Sequence, residues 1–208
     1  MTIMLAGTDL GYAAGGRTVL DGVSVQASSG RVLVVRGPSG SGKSLLLAIL
    51  GGLIAPPEGT VTLDGASVTP NAGVEMRRRF GLILQGYGLV AALTARENVA
   101  IVLQAARVPP AQVGSRVQAV LDSVGLAPVA DHLVEDLSGG QQQRVAVARA
   151  LVTSADVLLA DEPSAELDAE NRALIISLLI ERARAGAVVV IASHDPDVVD
   201  ACDDILDL

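Results

Sequence analysis

Residues 32–50 read VLVVRGPSGSGKSLLLAIL, and this stretch predicts a strand, a glycine-rich loop and a helix in succession. Val32–Val35 form an uninterrupted apolar run, which is typical of a strand buried on both faces. The helix is expected to begin at Lys43 and to end before the glycine pair at positions 51 and 52. The loop between them matches the pattern G-x-x-x-x-G-K-[ST] in the strand–loop–helix context that this pattern requires.

This loop predicts a site for nucleotide phosphates. Its glycines let the backbone curl so that successive N–H groups point inward at a phosphate, and the start of the helix adds partial positive charge. Lys43 would reach the β- and γ-phosphates, and the Ser44 hydroxyl would bind Mg²⁺. A glycine-rich turn with a solvated lysine is the competing interpretation. The predicted phosphate-binding residues are Gly37, Pro38, Ser39, Gly40, Ser41, Gly42, Lys43 and Ser44.

Composition limits the classes to which the chain can belong. Its 208 residues suffice for one substantial domain, and half of them are hydrophobic. The formal net charge is −8, with fourteen arginines, one lysine and only three aromatic residues. The core must therefore be aliphatic. An acidic chain with so few aromatic residues also lacks the basic surface and the stacking platforms of a general nucleic-acid binder.

Other classes are excluded by what the sequence does not contain. No uncharged apolar run approaches the about 18–20 residues that span a bilayer, and the first residues do not resemble a secretory signal. Cys202 is the single cysteine, so an internal disulfide is excluded. With only two histidines, far apart in sequence, a Cys/His zinc site is excluded as well. These features indicate a cytosolic protein.

The order of the predicted elements indicates an α/β fold. Short β-rich runs at Met4–Leu10 and Val19–Ala27, followed by a hairpin at Asp64-Gly65, predict an N-terminal antiparallel β subdomain. Apolar strands then alternate with helices, which favours a mostly parallel sheet covered on both faces. The predicted strands are Val32–Val35, Gly81–Gln85, Val157–Ala160, Ala187–Ala192 and Asp204–Leu208. Helical patterns fill the stretch from about 86 to 150, which we interpret as a helical subdomain inserted into a single domain of residues 1–208.

A pair of acids follows the apolar run that begins at Val157. Asp161 and Glu162 end this predicted strand. A solvated strand end would account for them equally well in isolation. Beside a phosphate loop, however, Asp161 is suited to hold Mg²⁺ and Glu162 to polarise an attacking water molecule.

A second predicted helix start combines serine, glycines and glutamine. Residues 137–151 read LSGGQQQRVAVARAL, in which Ser138 and Gln141 fit a capping box. A simple helix start is the alternative interpretation, but the same residues form an anion site without a lysine. The stretch resembles the signature motif of ATP-binding cassette (ABC) ATPases, and the order of the other motifs agrees over essentially the whole chain. The resemblance implies the fold of a P-loop NTPase core with the two subdomains described above.

The resemblance also implies roles for individual residues. Catalysis would involve Glu162, His194, Lys43 and Gln85, and Mg²⁺ would be bound by Ser44, Gln85 and Asp161. Tyr12 would stack on the adenine of ATP, although filling the core is its alternative role. The residues expected to complete the ATP site of a partner chain are Ser138, Gly139, Gly140 and Gln141. Ser164–Asp168 matches the D-loop of the family, but Ala165 replaces a serine that many relatives have there.

Function follows from the same resemblance. Residues 80–98, FGLILQGYGLVAALTAREN, are similar to the group that powers lipoprotein release, macrolide efflux and the cell-division cassette. This similarity implies an ATPase that forms a homodimer, or a heterodimer with a related ATPase, and drives a separate membrane permease from the cytoplasmic face of the inner membrane. An exporter or a lipoprotein- or peptide-type system is expected. An ATP-gated regulatory module without transport remains the alternative.

Two further nucleotide-binding classes fit the sequence poorly. Soluble cassette ATPases of DNA repair or translation carry zinc modules, coiled coils or duplicated cassettes, and the sequence contains none of these. A small G protein needs the guanine-reading Asn-Lys-x-Asp motif and hence a second lysine, which this chain lacks.

Overall fold

A five-stranded parallel sheet forms the centre of the computed structural model, which describes residues 2–208. Its strands are β3 (Val32–Arg36), β6 (Phe80–Ile83), β7 (Val157–Asp161), β8 (Val188–Ala192) and β9 (Asp204–Asp207). They lie in the order β6-β7-β8-β3-β9 and every pairing is parallel. Every residue of β7 and β8 is buried, as their continuous apolar sequences predict. The predicted parallel sheet is confirmed.

The register of this sheet aligns the ends of three strands. Ala192 of β8 is paired with Val35 of β3 on one side and with Asp161 of β7 on the other. These three residues therefore form one row across the sheet. Because parallel strands all leave the sheet at the same edge, the loops that follow β3, β7 and β8 begin side by side.

A second, antiparallel sheet is built from β1 (Met4–Ala14), β2 (Arg17–Ser28), β4 (Glu58–Leu63) and β5 (Ala66–Ser67), in the order β2-β1-β4-β5. It confirms the predicted N-terminal β subdomain and the hairpin at Asp64-Gly65. The first two strands are longer than predicted, because Gly15 and Gly16 adopt positive φ angles of 58° and 78° and close a tight hairpin between them.

Two aliphatic clusters form the core, one on each face of the central sheet. One face is covered by α1 (Lys43–Leu50) together with the antiparallel sheet. The other is covered by α5 (Gly139–Leu151) and α6 (Ala169–Arg184), with α7 (Pro196–Asp200) at its edge. Tyr12 and Phe80 only flank the first cluster. The prediction that the core must be aliphatic is therefore confirmed.

The remaining helices occur in the sequence between β3 and β7 of the central sheet. The short helix α2 (Val74–Arg78) precedes β6, and α3 (Ala95–Ala105) and α4 (Pro110–Ser123) follow it. Two 3₁₀ turns, Ala127–Val129 and Val134–Asp136, lead into α5. The helices α3, α4 and all but the last residue of α5 lie within the stretch 86–150, whose division as an inserted subdomain stays a prediction. No helix within residues 2–208 combines the length and the apolarity needed to cross a membrane.

The loop before α3 is held by one buried amide side chain. Asn98 is 1% exposed, and its Oδ1 accepts a hydrogen bond from the N–H of Val90 at 2.8 Å. Its Nδ2 lies within hydrogen-bond distance of the carbonyl oxygens of Val90, Leu93 and Thr94, at 3.0, 3.2 and 3.0 Å. Asn98 thus fastens the segment that joins β6 to the start of α3.

We expect Asn98→Ala to lower the free energy of unfolding by about 1–3 kcal/mol, because it leaves buried backbone groups without partners. Urea unfolding followed by circular dichroism measures this change. Gln104→Ala is the matched control, since Gln104 is an exposed amide on the same helix. Its effect should stay within about 0.5 kcal/mol, and an equal loss in both variants would contradict this role of Asn98.

Candidate nucleotide-binding site

The loop at residues 37–44 joins β3 to α1, as predicted. Gly40 and Gly42 have φ angles of 81° and 101°, a region of backbone space that favours glycine. A Cβ atom at Gly42 would lie 3.0 Å from Leu20 Cδ2, so the space there is also restricted. No side chain caps the start of α1, which leaves its first turn available to a phosphate.

Lys43 is folded over this loop. The residue is only 8% exposed, and Nζ donates hydrogen bonds to the carbonyl oxygens of Gly37 at 2.8 Å and Pro38 at 3.1 Å. The side chain of the one lysine in the sequence is therefore fixed inside the loop by the backbone of the loop itself.

Asp161 ends β7 beside the loop and is 6% exposed. Burial raises the pKa of this carboxyl and Glu162 adds to the rise, while hydrogen bonding with Ser44 and the charge of Lys43 oppose it. Among residues 2–208, its Oδ1 is buried without a hydrogen-bond partner. An unpaired buried carboxylate oxygen is costly, and beside a hydroxyl it offers the hard oxygen ligands that Mg²⁺ prefers. Asp161 and Ser44 therefore fit the predicted metal site.

Glu162 forms a hydrogen-bonded group with the first residues after β8. Its Oε1 lies 2.6 Å from His194 Nδ1, and its Oε2 accepts a hydrogen bond from Ser193 Oγ at 3.2 Å. Glu162 has a φ angle of 47°, an uncommon conformation for a residue with a side chain. The backbone N–H of Glu162 donates to the carbonyl of Ala192 at 2.9 Å, which anchors this conformation to β8.

Gln85 makes no hydrogen bond to this group within residues 2–208. The strand β6 ends at Ile83, two residues earlier than predicted, so Leu84 and Gln85 are both exposed. No hydrogen bond links Gln85 to Lys43 or Asp161 in the part of the chain that the structure describes. The backbone after Gln85 is held by the half-buried Arg149, whose guanidinium donates to the carbonyl oxygens of Gly88 and Tyr87, the latter at 2.6 Å.

The predicted second helix start is present at Ser138. Its Oγ accepts from the N–H of Gln141 at 3.3 Å, and Gln141 Oε1 accepts from the N–H of Ser138 at 2.9 Å, which completes the capping box. The nearest neighbours of Gly139 and Gly140 are Glu166 and Leu167 of the D-loop of the same chain, and the Tyr87 hydroxyl also lies beside Gly139. Within residues 2–208, no hydrogen bond joins the segment 138–141 to the loop 37–44.

Tyr12 lies on the antiparallel sheet near the phosphate loop. It is half-buried and is paired across β1 and β2 with Leu20, which in turn contacts Gly42. This placement suits either role considered for it, stacking on adenine or filling the core.

Some residues of the site were not predicted. The most informative is Gln143, which is 3% exposed and donates from Nε2 to the carbonyl of Pro163 at 2.8 Å, directly after Glu162. Gln143 lies three, four and seven positions before buried residues of α5. This helical spacing could have predicted that Gln143 lies on the buried face of the helix. Ser193 and Arg149 reach their partners only through the tertiary fold, so no local pattern identifies them.

Comparison with protein families matches residues 20–165 to the family model described as "ABC transporter". An ABC transporter ATP-binding protein of Mycobacterium tuberculosis, itself uncharacterised, is 38% identical over 203 residues, which are 95% of this chain and 62% of that protein. The methionine import ATP-binding protein MetN of Caulobacter vibrioides is 42% identical over 192 residues, 90% of this chain and 58% of its own length.

An exporter is also among the relatives. The macrolide export ATP-binding/permease protein MacB of Marinobacter nauticus is 39% identical over 184 residues, which are 86% of this chain and 29% of MacB. The chain thus spans 62% or less of the length of these three relatives.

The fold is similar to that of a solved ABC cassette. The structure solved as the dimeric form of MJ0796, a bacterial ABC transporter cassette, superposes with a TM-score of 0.90 at 33% identity. The match covers 98% of this chain and 94% of MJ0796. A second MJ0796 structure, solved in a post-hydrolysis state with ADP and Pi, matches equally well.

Proposed function

The chain belongs to the ABC transporter family of ATP-binding domains, and on that basis we propose that it is an ATP-hydrolysing subunit that drives a separate membrane permease. One observation carries the proposal. A buried lysine in a phosphate loop, a buried aspartate with an unpaired oxygen and a Glu162–His194 pair all lie at one edge of the central sheet. Phosphoryl transfer to water relies on cations that neutralise the phosphate charge and on a residue that orients the attacking water.

ATP would be bound along the loop 37–44. The backbone of the loop and the start of α1 surround the phosphates, and Lys43 exchanges its carbonyl partners for phosphate oxygens. Tyr12, on the adjacent sheet, would stack on the adenine. Ser44 and Asp161 would hold Mg²⁺, and Gln85 would be the third side chain to bind it. When bound, the metal would neutralise charge that develops on the phosphate oxygens.

Hydrolysis would be an in-line attack of water on the γ-phosphate. The new bond joins the water oxygen to phosphorus while the bond to the bridging oxygen breaks, which releases ADP and phosphate. Glu162 would accept a hydrogen bond from this water and orient it. His194, with 71% of its side chain exposed beside Glu162, is free to turn toward the γ-phosphate. Gln143 and Ser193 would act as positioning residues for Glu162.

A partner chain would complete each site. The helix start at Ser138 offers a second place for phosphate, yet it has no lysine and makes no hydrogen bond to the loop 37–44 of its own chain within residues 2–208. Two chains facing each other would place Ser138, Gly139, Gly140 and Gln141 of one chain against the ATP of the other. The dimeric form of MJ0796, which shares the fold, supports this arrangement.

Transport through a membrane partner is the final part of the proposal. The relatives include a methionine importer and a macrolide exporter, so the direction rests on the resemblance of residues 80–98 to the group for lipoprotein release and macrolide efflux. We infer an export or lipoprotein-type system, with the chain at the cytoplasmic face of the inner membrane.

Glu162→Gln is expected to reduce ATP turnover by about a hundredfold or more while ATP still binds, because the amide cannot accept a proton from the attacking water. The variant should accumulate as an ATP-bound dimer in size-exclusion chromatography with light scattering. Glu181→Gln, an exposed change of the same kind on α6, should behave as the unmodified protein. A Glu162→Gln chain that hydrolyses ATP normally would refute the assignment.

Purification of the chain with its membrane partner and reconstitution into vesicles tests the coupling. We expect ATP-dependent movement of substrate across the vesicle membrane that Glu162→Gln abolishes. ATP-dependent changes in the partner without any movement of substrate would instead establish the regulatory module.

A further inference from the structure

Two side chains, those of Glu166 and Tyr87, meet beside Gly139 of the signature loop (residues 138–141). A Cβ atom built on Gly139 would lie 2.1 Å from Glu166 Oε2 and 3.5 Å from the hydroxyl oxygen of Tyr87. The Tyr87 hydroxyl and the Glu166 carboxylate therefore lie beside the same glycine. The carboxylate covers the side of Gly139, next to a hydroxyl group that comes from a different segment.

The covering group has the wrong charge for this place. The start of α5 is suited to anions, and in the proposed dimer it receives the phosphates of the partner's ATP. A carboxylate beside it repels these phosphates. Glu166 also fills space that a phosphate would need, because its oxygen is in direct contact with Gly139.

Glu166 can move only through its side chain. The residues around it are anchored, since Ser164 is 3% and Leu167 7% exposed. The backbone carbonyl oxygen of Glu166 is itself only 3.1 Å from the Cβ position of Gly140. The side chain of Glu166, by contrast, is exposed and can swing into solvent.

Tyr87 connects this carboxylate to two other parts of the site. Its carbonyl oxygen accepts a hydrogen bond from Arg149, a residue of the helix that begins after Ser138. Tyr87 also follows Gln85 by two residues. Burial, with the help of Glu166, raises the pKa of its hydroxyl to about 12, so this group stays a hydrogen-bond donor at neutral pH.

We propose that Glu166 is an autoinhibitory gate: its carboxylate, held by the Tyr87 hydroxyl, covers the signature loop of its own chain until the ATP of a partner displaces it. This inference rests on the proposed two-chain ATP site. When the carboxylate leaves, its bond to Tyr87 breaks, and the segment that carries Gln85 loses one of its attachments. Binding of the partner's ATP at the signature loop of one chain thereby loosens the Gln85 segment of that same chain, which belongs to the other ATP site.

The gate predicts a change in the concentration of ATP that is needed to form the dimer. All variants are made in the Glu162→Gln chain, and the dimer fraction is measured by light scattering against ATP concentration in the presence of Mg²⁺. Adding Glu166→Gln removes the charge and should lower the ATP concentration for half-maximal dimer by about fivefold or more. Adding Tyr87→Phe removes only the restraint and should lower it by a smaller factor.

Two controls separate the gate from general effects. Glu170→Gln makes the same charge change at an exposed position four residues away and should leave the ATP concentration unchanged. Binding of a fluorescent ATP analogue to the monomer, which uses the loop 37–44, should be the same in all variants.

Several results would overturn the proposal. An unchanged ATP requirement in both the Glu166→Gln and Tyr87→Phe variants, while Glu162→Gln alone forms dimers, refutes the gate and leaves the dimer intact. A higher ATP requirement in Glu166→Gln shows that the carboxylate supports closure. If monomers bind ATP and no variant forms a dimer, the two-chain site itself is wrong, and the gate fails with it.

Discussion

The parallel register of three strands is the constraint on which the site depends. Val35, Ala192 and Asp161 share one row of the central sheet, so the phosphate loop, the acidic pair and the residues Ser193 and His194 all start from the same edge. A shift of any strand by one residue would turn its side chains to the opposite face and separate these groups. The two aliphatic clusters that enclose the sheet keep this register unique.

The enclosed sheet also stabilises groups that are unfavourable by themselves. Lys43 and Asp161 are almost completely buried, and one oxygen of Asp161 has no partner among residues 2–208. Glu162 adopts a left-handed backbone conformation, which costs on the order of 1 kcal/mol or more. All three features lie at the loop edge of the sheet, where a phosphate ligand with its metal would pair with the charges of Lys43 and Asp161. The local cost is thus consistent with a site preorganised for phosphate chemistry.

Much of this arrangement could be predicted from the sequence because the signals are local. Continuous apolar runs predicted β3, β7 and β8, and the spacing of serine and glutamine predicted the cap at Ser138. The end of β6 was predicted two residues too late, because the apolar Leu84 continues the pattern although it is exposed. The hairpin at Gly15-Gly16 was missed because the flanking alanine and arginine do not alternate in polarity.

Long-range contacts account for what the sequence could not reveal. Arg149 and Tyr87 are 62 positions apart, and Ser193 reaches Glu162 across 31 positions. Glu166 and Tyr87 meet only because the D-loop and the segment after β6 both pack beside α5. Arginine, serine and tyrosine at these positions carry no pattern of their own, and their roles follow from distances that only the folded chain defines.

The account centres on a site that two chains share, and transfer of a label between chains tests it most directly. A chain with Lys43→Ala, which should not bind ATP, is mixed with a Glu162→Gln chain loaded with ATP that carries a photoreactive group on its γ-phosphate. Illumination should label residues 138–141 of the Lys43→Ala chain, which remains unlabelled when it is alone. Label confined to the Glu162→Gln chain would contradict the shared site.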